Sequence, residues 1–192
     1  MTLAAVPALD RTVVLVGLMG AGKSSIGRRL AQRLNVAFVD ADAEIESAAG
    51  TSISDIFARH GEQAFRDGER RVIARLLERA PHVLATGGGA FMDEETRAHV
   101  RQHGISVWLR ASLDTLVRRL EKSHQQRPLL AKGDLRTNLA TLMDTRYPTY
   151  AQADVVVDTG EGPHEPVVEA IVERLVQYQA AHPATRNPVE AA

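Results

Sequence analysis

The sequence predicts an α/β fold in which a parallel sheet of five short strands carries helices on both faces. Two observations carry this. Short β-branched runs alternate along the chain with longer stretches whose apolar residues recur every three or four positions, the βαβα order of a parallel sheet. The first such run also passes straight into a glycine-rich turn and a helix, the kind of junction at which parallel sheets place their ligand sites.

Taken in order, residues 12–16 (TVVLV) form a wholly apolar run ending at Gly17, as a strand buried on both faces does. Over 23–34, Ile26, Leu30 and Leu34 recur every four residues and line one face of a helix. Residues 36–39 read as a second strand, with Asp40-Ala41-Asp42 at its end. Ser52 and Asp55 have the spacing of a capping box, and helical stretches follow near 54–60 and 62–79. A third strand, 83–85, enters Gly87-Gly88-Gly89, after which helix, strand and helix repeat over 93–103, 105–109 and 112–122. Between 123 and 133 the apolar period stops and His, Gln, Lys, Gly and Pro take over, a loop of the length used for lids. Helix returns over 134–149 and strand over 155–157, and a last helix over 165–179 is amphipathic on Val168, Ile171, Val172 and Leu175. The tail from Ala180 has no period and reads as frayed. Residues 1–179 are therefore read as one domain with a lid at about 123–133, and 180–192 as a disordered tail.

The 192 residues suit one domain. With 23 Lys and Arg against 24 Asp and Glu, the net charge of -1 supplies no general field for a polyanion, so any anion needs a local site. There is no cysteine, which removes disulfide frameworks, thiolate zinc sites and cysteine nucleophiles. No basic stretch precedes the short apolar N-terminal segment, and no apolar run approaches the ~18 residues a bilayer requires. The expectation is a cytoplasmic protein that binds neither nucleic acid nor membrane. A monomer is the default, since no exposed apolar helix face stands out. The seven histidines show no metal-ligand spacing and read as surface or loop residues, and Trp108, inside a strand, as core. Phe57 and Phe65 fit either a pocket lining or the core.

At the end of the first strand, Gly17-Leu18-Met19-Gly20-Ala21-Gly22-Lys23-Ser24 is a full G-x-x-x-x-G-K-[ST] match between a predicted strand and a predicted helix. Glycines let backbone amides converge on a phosphate, and the helix N-terminus adds its positive dipole end. Lys23 reaches the β and γ phosphates, and the Ser24 hydroxyl binds Mg²⁺. The nucleotide contacts run over Gly20, Ala21, Gly22, Lys23, Ser24 and Ser25, with ATP as co-substrate and Mg²⁺ as cofactor. Such a loop leaves the acceptor open, because motors, switches and small-molecule kinases share it.

Asp40 and Asp42, two apart at a strand end, place both carboxylates on one side by the pleat, toward the loop. Alone such a pair also fits a solvated turn. Beside the phosphate loop, one could serve the Mg²⁺ shell and the other accept the proton of an acceptor hydroxyl. The third strand ends in Ala85-Thr86-Gly87 without an acid, so Asp40 is the natural outer-shell group for the metal.

The segments GLMGAGKS, FVDAD, SISDIFARHGEQAFRDGE, VLATGGGAF, RPLL and TRYPTYAQAD, in this order and spacing, resemble shikimate kinase over nearly the whole chain, from Thr12 to about Leu175. The phosphate loop is shared by many families, whereas Gly-Glu-x-x-Phe-Arg with the triple glycine and Arg-Pro-Leu-Leu is specific. The resemblance implies a three-layer P-loop kinase fold, and transfer of the γ-phosphoryl group of ATP to the 3-hydroxyl of shikimate on the route to aromatic amino acids. It implies that Asp42 holds the ring hydroxyls near the one attacked, and that Arg66 and Arg146 clamp the substrate carboxylate, for which guanidinium forks are suited. It further implies that Gly88, between Gly87 and Gly89, brings a backbone amide to the substrate, and that Arg127 closes onto the ATP phosphates with the lid. Arg118 and Arg119, near the lid hinge, receive no role. Asp158 to His164 departs from the family pattern of a polar or basic residue toward the adenine, which leaves backbone contacts for the base.

Two other readings compete. A gluconate kinase of the same fold also binds a hydroxylated carboxylate, and the combined motifs argue against it better than the arginine clamp alone. A regulatory module that only senses ATP and shikimate would normally have lost Lys23, Asp42 or the lid arginine, and all three are present.

Overall fold

The computed structural model describes residues 8–122 and 134–183. Five strands pair parallel throughout: β1 (Thr12–Val16), β2 (Phe38–Asp40), β3 (Val83–Ala85), β4 (Gly104–Ala111) and β5 (Val155–Thr159), in the order β2-β3-β1-β4-β5. β1 is buried along its whole length, as the apolar run TVVLV requires of the central strand. Its register sets Val13 beside Val83 and Ile105, and Val16 beside Trp108.

With the strands run α1 (Lys23–Leu34), α2 (Ala41–Ala49), α3 (Ile53–Leu77), α4 (Glu94–His103), α5 (Leu113–Glu121), α6 (Leu135–Tyr150) and, after β5, α7 (Glu165–Ala181), and among the described residues one 3-10 turn at Ala90–Met92. α1 and α7 pack together and lie on β3 and β5, and α3 and α4 pack together, with α4 on β4. α1 buries Ile26, Leu30 and Leu34, the stripe read from the sequence, and α7 buries Val168, Ile171, Val172 and Leu175. Leu15, Leu84, Ile105 and Leu109 are fully enclosed. Such side chains contribute about 1.5–3 kcal/mol each. Asn35 ends α1 in the left-handed conformation, its amide donating back to the carbonyls of Ala31 and Gln32.

Several boundaries differ from the sequence reading. β2 comprises Phe38–Asp40 and is followed at once by α2, which the sequence reading lacked. Nine residues with a small moment carry little helical signal, and the cap that starts α2 is Asp40 itself, its side chain accepting the amide of Asp42. The two helical stretches expected around 54–60 and 62–79 are both present: α3 is broken at Gly61, whose φ 79 and ψ 174 are not helical. It begins as expected, with Ser52 accepting the amide of Asp55. α7 continues to Ala181, into the segment read as a frayed tail. The expected lid, 123–133, lies outside the described residues, and so do 184–192.

Trp108 is buried, as expected. His82 is the exception among the histidines: it is buried just before β3, its Nδ1 between the Thr12 hydroxyl at 3.2 Å and the Ala80 carbonyl at 3.0 Å. Adjacent parallel strands bring the start of β1 onto it, a contact that residue spacing does not reveal.

Candidate active site

The carboxyl ends of β1, β2 and β3 meet on one side of the sheet. From β1 the chain turns through Gly17 to Gly22, and α1 opens at Lys23. Gly22 caps α1 at φ 96, a conformation L side chains rarely adopt. No side chain covers the first amides and the first turn holds no acid, so the positive end of the helix stands open to an anion. Lys23 Nζ donates to the carbonyls of Gly17 at 2.8 Å and Leu18 at 3.0 Å, which holds the ammonium against the loop. Ser24 Oγ donates to Asp40 Oδ2 at 3.1 Å, and the Ser25 hydroxyl lies 3.5 Å from the Gly22 carbonyl.

Arg119, which had no role on sequence grounds, braces this loop from α5. One guanidinium nitrogen donates to the carbonyls of Gly20 at 3.1 Å and Ala21 at 3.2 Å and to the Thr159 hydroxyl at 3.3 Å. The other donates to the Gly160 carbonyl at 2.5 Å. One residue thus ties the phosphate loop to the end of β5. Arg118 instead makes an exposed ion pair with Glu161 at 2.8 Å. Asp158 is paired with Arg110, its cross-strand neighbour, through contacts of 2.6 and 2.8 Å.

The two aspartates do not share one side through the pleat. Asp40 ends β2, but Asp42 is already the second residue of α2, and the helical turn sends their carboxylates to different places. Asp40 faces Ser24, whereas Asp42 faces Gly87, where a Cβ would sit 3.0 Å from Asp42 Oδ1.

Four charged side chains meet at the triple glycine. A Cβ on Gly87 would stand 2.9 Å from Glu69 Oε1, one on Gly88 3.1 Å from Arg146 Nη1, and one on Gly89 2.7 Å from Arg66 Nη1. Three side-chain-free residues therefore let two arginines and two carboxylates close onto one short piece of backbone. The arrangement is bipolar: Asp42 and Glu69 border Gly87, and the two guanidinium groups border Gly88 and Gly89.

Arg66 donates to Glu69 at 2.7 Å and Glu62 at 3.3 Å and lies over the Phe65 ring. Burial pushes the Glu69 pKa up, Arg66 pulls against that, and the net direction is upward. Arg146 makes no ion pair with any described residue; its guanidinium lies beside the Tyr150 hydroxyl, which donates to the Gly88 carbonyl. Burial raises the pKa of Tyr150, so its proton stays available for that bond. Phe65 is core and stacks at 4.6 Å on Phe57, which is 38% exposed.

The structure thus brings together Lys23, Ser24 and Asp40 around the glycine-rich loop, and Asp42, Arg66 and Arg146 around Gly87, Gly88 and Gly89. Arg127 lies outside the described residues. Sequence reasoning missed Glu69, Tyr150 and Arg119. Glu69 follows Arg66 at i+3, a spacing that can pair residues on a helix; Tyr150 and Arg119 act on backbone groups distant in sequence and left no signal.

A G-x-x-x-x-G-K-[ST] loop at the end of the central strand, with two guanidinium groups and two carboxylates gathered on the triple glycine of the same parallel sheet, is the arrangement of a P-loop small-molecule kinase. The comparisons with known proteins narrow the class. The family model for shikimate kinase matches residues 19–176. A shikimate kinase of Paramagnetospirillum magneticum is 56% identical over 170 residues, 88% of this chain and 87% of that protein. The solved shikimate kinase of Acinetobacter baumannii in complex with shikimate superposes with a TM-score of 0.79 at 34% identity, over 91% of this chain and 95% of that one. The chain belongs to the shikimate kinase family. A gluconokinase from Sinorhizobium meliloti, at 20% identity and a TM-score of 0.62 over 91% of this chain and 97% of that one, shares the fold alone.

Proposed function

We propose that this chain transfers the γ-phosphoryl group of ATP to the 3-hydroxyl of shikimate, giving shikimate 3-phosphate and ADP. The observation that carries the reading is the pair of guanidinium groups on the glycine run: Arg66 against Gly89, and Arg146, without a carboxylate partner among the described residues, against Gly88. Two forks facing one piece of backbone suit a planar carboxylate held bidentately. The carboxylates of Asp42 and Glu69 at the other end suit the hydroxyls of the same molecule.

In this reading Lys23 and the amides from Gly20 to Ser25 hold the ATP phosphates. Asp42 accepts the proton of the attacking hydroxyl and orients its oxygen. Arg66, Arg146 and the Gly88 backbone fix the ring so that this hydroxyl lies in line with the γ-phosphorus, the positioning that dominates phosphoryl transfer. Arg127, from the proposed lid at 123–133, offsets charge on the transferring group. The base is held by backbone, since Asp158 and Glu161 are each paired with an arginine.

Mg²⁺ belongs to the same reading, and the donor set fits it. The Ser24 hydroxyl and Asp40 carboxylate are hard oxygen groups 3.1 Å apart at the mouth of the loop. Among the described residues no cluster of three or more His, Cys, Asp or Glu side chains forms a cage, in keeping with an ion that shares its shell with phosphates and water. Ser24 would hold it directly and Asp40 through the outer shell. When bound, the ion offsets charge on the β and γ phosphate oxygens.

The proposal extends to one domain whose last described helix ends at Ala181, working as a monomer in the cytoplasm without nucleic acid. Among the described residues no helix is long and apolar enough to cross a membrane. The test is ADP release coupled to a spectrophotometric readout, comparing shikimate, quinate and gluconate. Turnover with shikimate at least about a hundredfold above the others is expected, on the scale by which a site built for particular polar groups rejects analogues. Equal turnover with gluconate would overturn the assignment.

A further inference from the structure

A cavity of about 410 Å³ opens between α2 and α3, and none of its lining residues belongs to the phosphate loop or the triple glycine. Its floor is apolar: Ile45 from α2 and Ile56, Phe65 and Val72 from α3, each no more than 9% exposed. Its rim carries two cations from α3, Arg71 and Arg75. Arg71 has no hydrogen-bond or ion-pair partner among the described residues. Arg75 stands 3.8 Å from a Glu44 oxygen that Arg79 already approaches at 3.3 Å, so one carboxylate is shared between two guanidinium groups. Positive charge is thus in excess at the mouth of an apolar hole.

Gly68 adds an independent observation. It lies inside α3 on the cavity wall, where glycine weakens a helix relative to alanine. A Cβ there would meet nothing within 4 Å, so no close approach of another chain segment explains the missing side chain. What its absence leaves is open volume.

We propose that this cavity binds a small organic carboxylate with one apolar ring, the ring between Ile45, Ile56 and Val72 and the carboxylate on Arg71 and Arg75. The volume falls in the range of small-molecule sites. Adjacent guanidinium forks on successive turns, i and i+4, select a planar carboxylate, and the floor requires the ligand's other end to be apolar. An inorganic anion would leave that floor unfilled. The site goes beyond the kinase reading and is tested without it.

The experiment titrates the isotope-labelled full chain with 3-phenylpropanoate and with its neutral amide, following backbone amide resonances with and without saturating shikimate. The carboxylate is expected to bind saturably, shifting Ile45, Gly68 and Val72, while the amide binds about tenfold or more weakly, the worth of a charge-assisted contact. Shikimate should not displace it. Arg71→Gln should remove the advantage of the carboxylate over the amide. Gly68→Leu, which fills open space and favours helix, should abolish binding of both. A cooperative thermal transition checks that each variant is folded, and the exposed Arg71 change carries the test if Gly68→Leu is not. Equal affinity for acid and amide, an unchanged titration in Arg71→Gln, displacement by shikimate, or no saturable binding at millimolar concentration would each overturn the proposal.

Discussion

Glu69 holds Arg66 at 2.7 Å through Oε2, while its Oε1 faces Gly87 without a hydrogen-bond partner among the described residues. A carboxylate only 3% exposed is costly to charge, and Arg66 favours its charged form against that cost. The dependence runs both ways, because Glu69 fixes the direction in which Arg66 presents its remaining donors.

Glu69→Gln should therefore raise the Michaelis constant for shikimate by about tenfold, the worth of a charge-assisted hydrogen bond, with little change for ATP. Its pH dependence is the sharper test. Burial raises the pKa of this acid, so acidification neutralises it at a pH above the ordinary glutamate range and frees Arg66. The kcat/KM for shikimate should decline there on the acid side, and Glu69→Gln should lose that limb. An identical acid limb in the variant would assign the titration to another group.

Gly89→Ala should act on the substrate without unfolding the protein. The new Cβ would lie 2.7 to 2.9 Å from the Arg66 guanidinium, the far end of a flexible side chain that can move aside. The fold survives that shift and the clamp does not. Shikimate KM should rise by about tenfold or more while the thermal midpoint stays close to that of the parent chain. A large fall in the midpoint with unchanged KM would mean that the close approach serves packing alone.

Much of this site is legible in the sequence, for identifiable reasons. The phosphate loop is local: Gly17 to Ser24 carries its glycines, lysine and hydroxyl within eight residues, between a strand and a helix of clear pattern. Arg66, Arg146 and the triple glycine came from family motifs, and their convergence from 80 residues of separation is a property of the fold. Tyr150 and Arg119 stayed hidden because their partners are backbone groups. Arg119 bonds to carbonyls at Gly20 and Gly160, and every residue type has a carbonyl. The start of α2 is hidden because Asp40 both closes a strand and caps a helix, and the two-residue spacing to Asp42 fits either.

Arg119→Met should raise KM for ATP by about tenfold while leaving shikimate binding nearly unchanged. Methionine keeps much of the aliphatic stem and removes the donors to Gly20, Ala21, Thr159 and Gly160. Binding of each substrate measured separately by calorimetry separates the two sides. A loss confined to shikimate would place the brace on the wrong side of the site.

His82 predicts a pH-dependent stability unrelated to catalysis. Burial lowers its pKa below 6.5, helped by Arg79, and Nε2 is enclosed without a partner among the described residues. As pH falls through 6.5 the unfolded chain takes up this proton first, so stability is lost from there down to the lowered folded value and is full above 6.5. Urea midpoints should fall between pH 7.5 and 5.5, and fall less in His82→Asn, which keeps a polar atom near Nδ1. Equal falls in both proteins would remove His82 as the cause.

The two aspartates allow the sharpest division, since α2 turns them to different partners. Asp42 faces the glycine run and Asp40 faces Ser24 at 3.1 Å. Asp42→Asn keeps the size of the side chain but removes the group that would accept the hydroxyl proton, so turnover should fall by about a hundredfold, the scale of general base catalysis, while ATP still binds. Asp40→Asn should instead raise the Mg²⁺ concentration needed for half-maximal activity, because a neutral amide orients the metal's outer shell less well. The same carboxylate caps α2, and asparagine caps as well as aspartate. The thermal midpoint of Asp40→Asn should therefore change little, which leaves the Mg²⁺ titration readable as chemistry. Rescue of Asp42→Asn by excess Mg²⁺, with no rescue of Asp40→Asn, would show that the carboxylates are assigned the wrong way round.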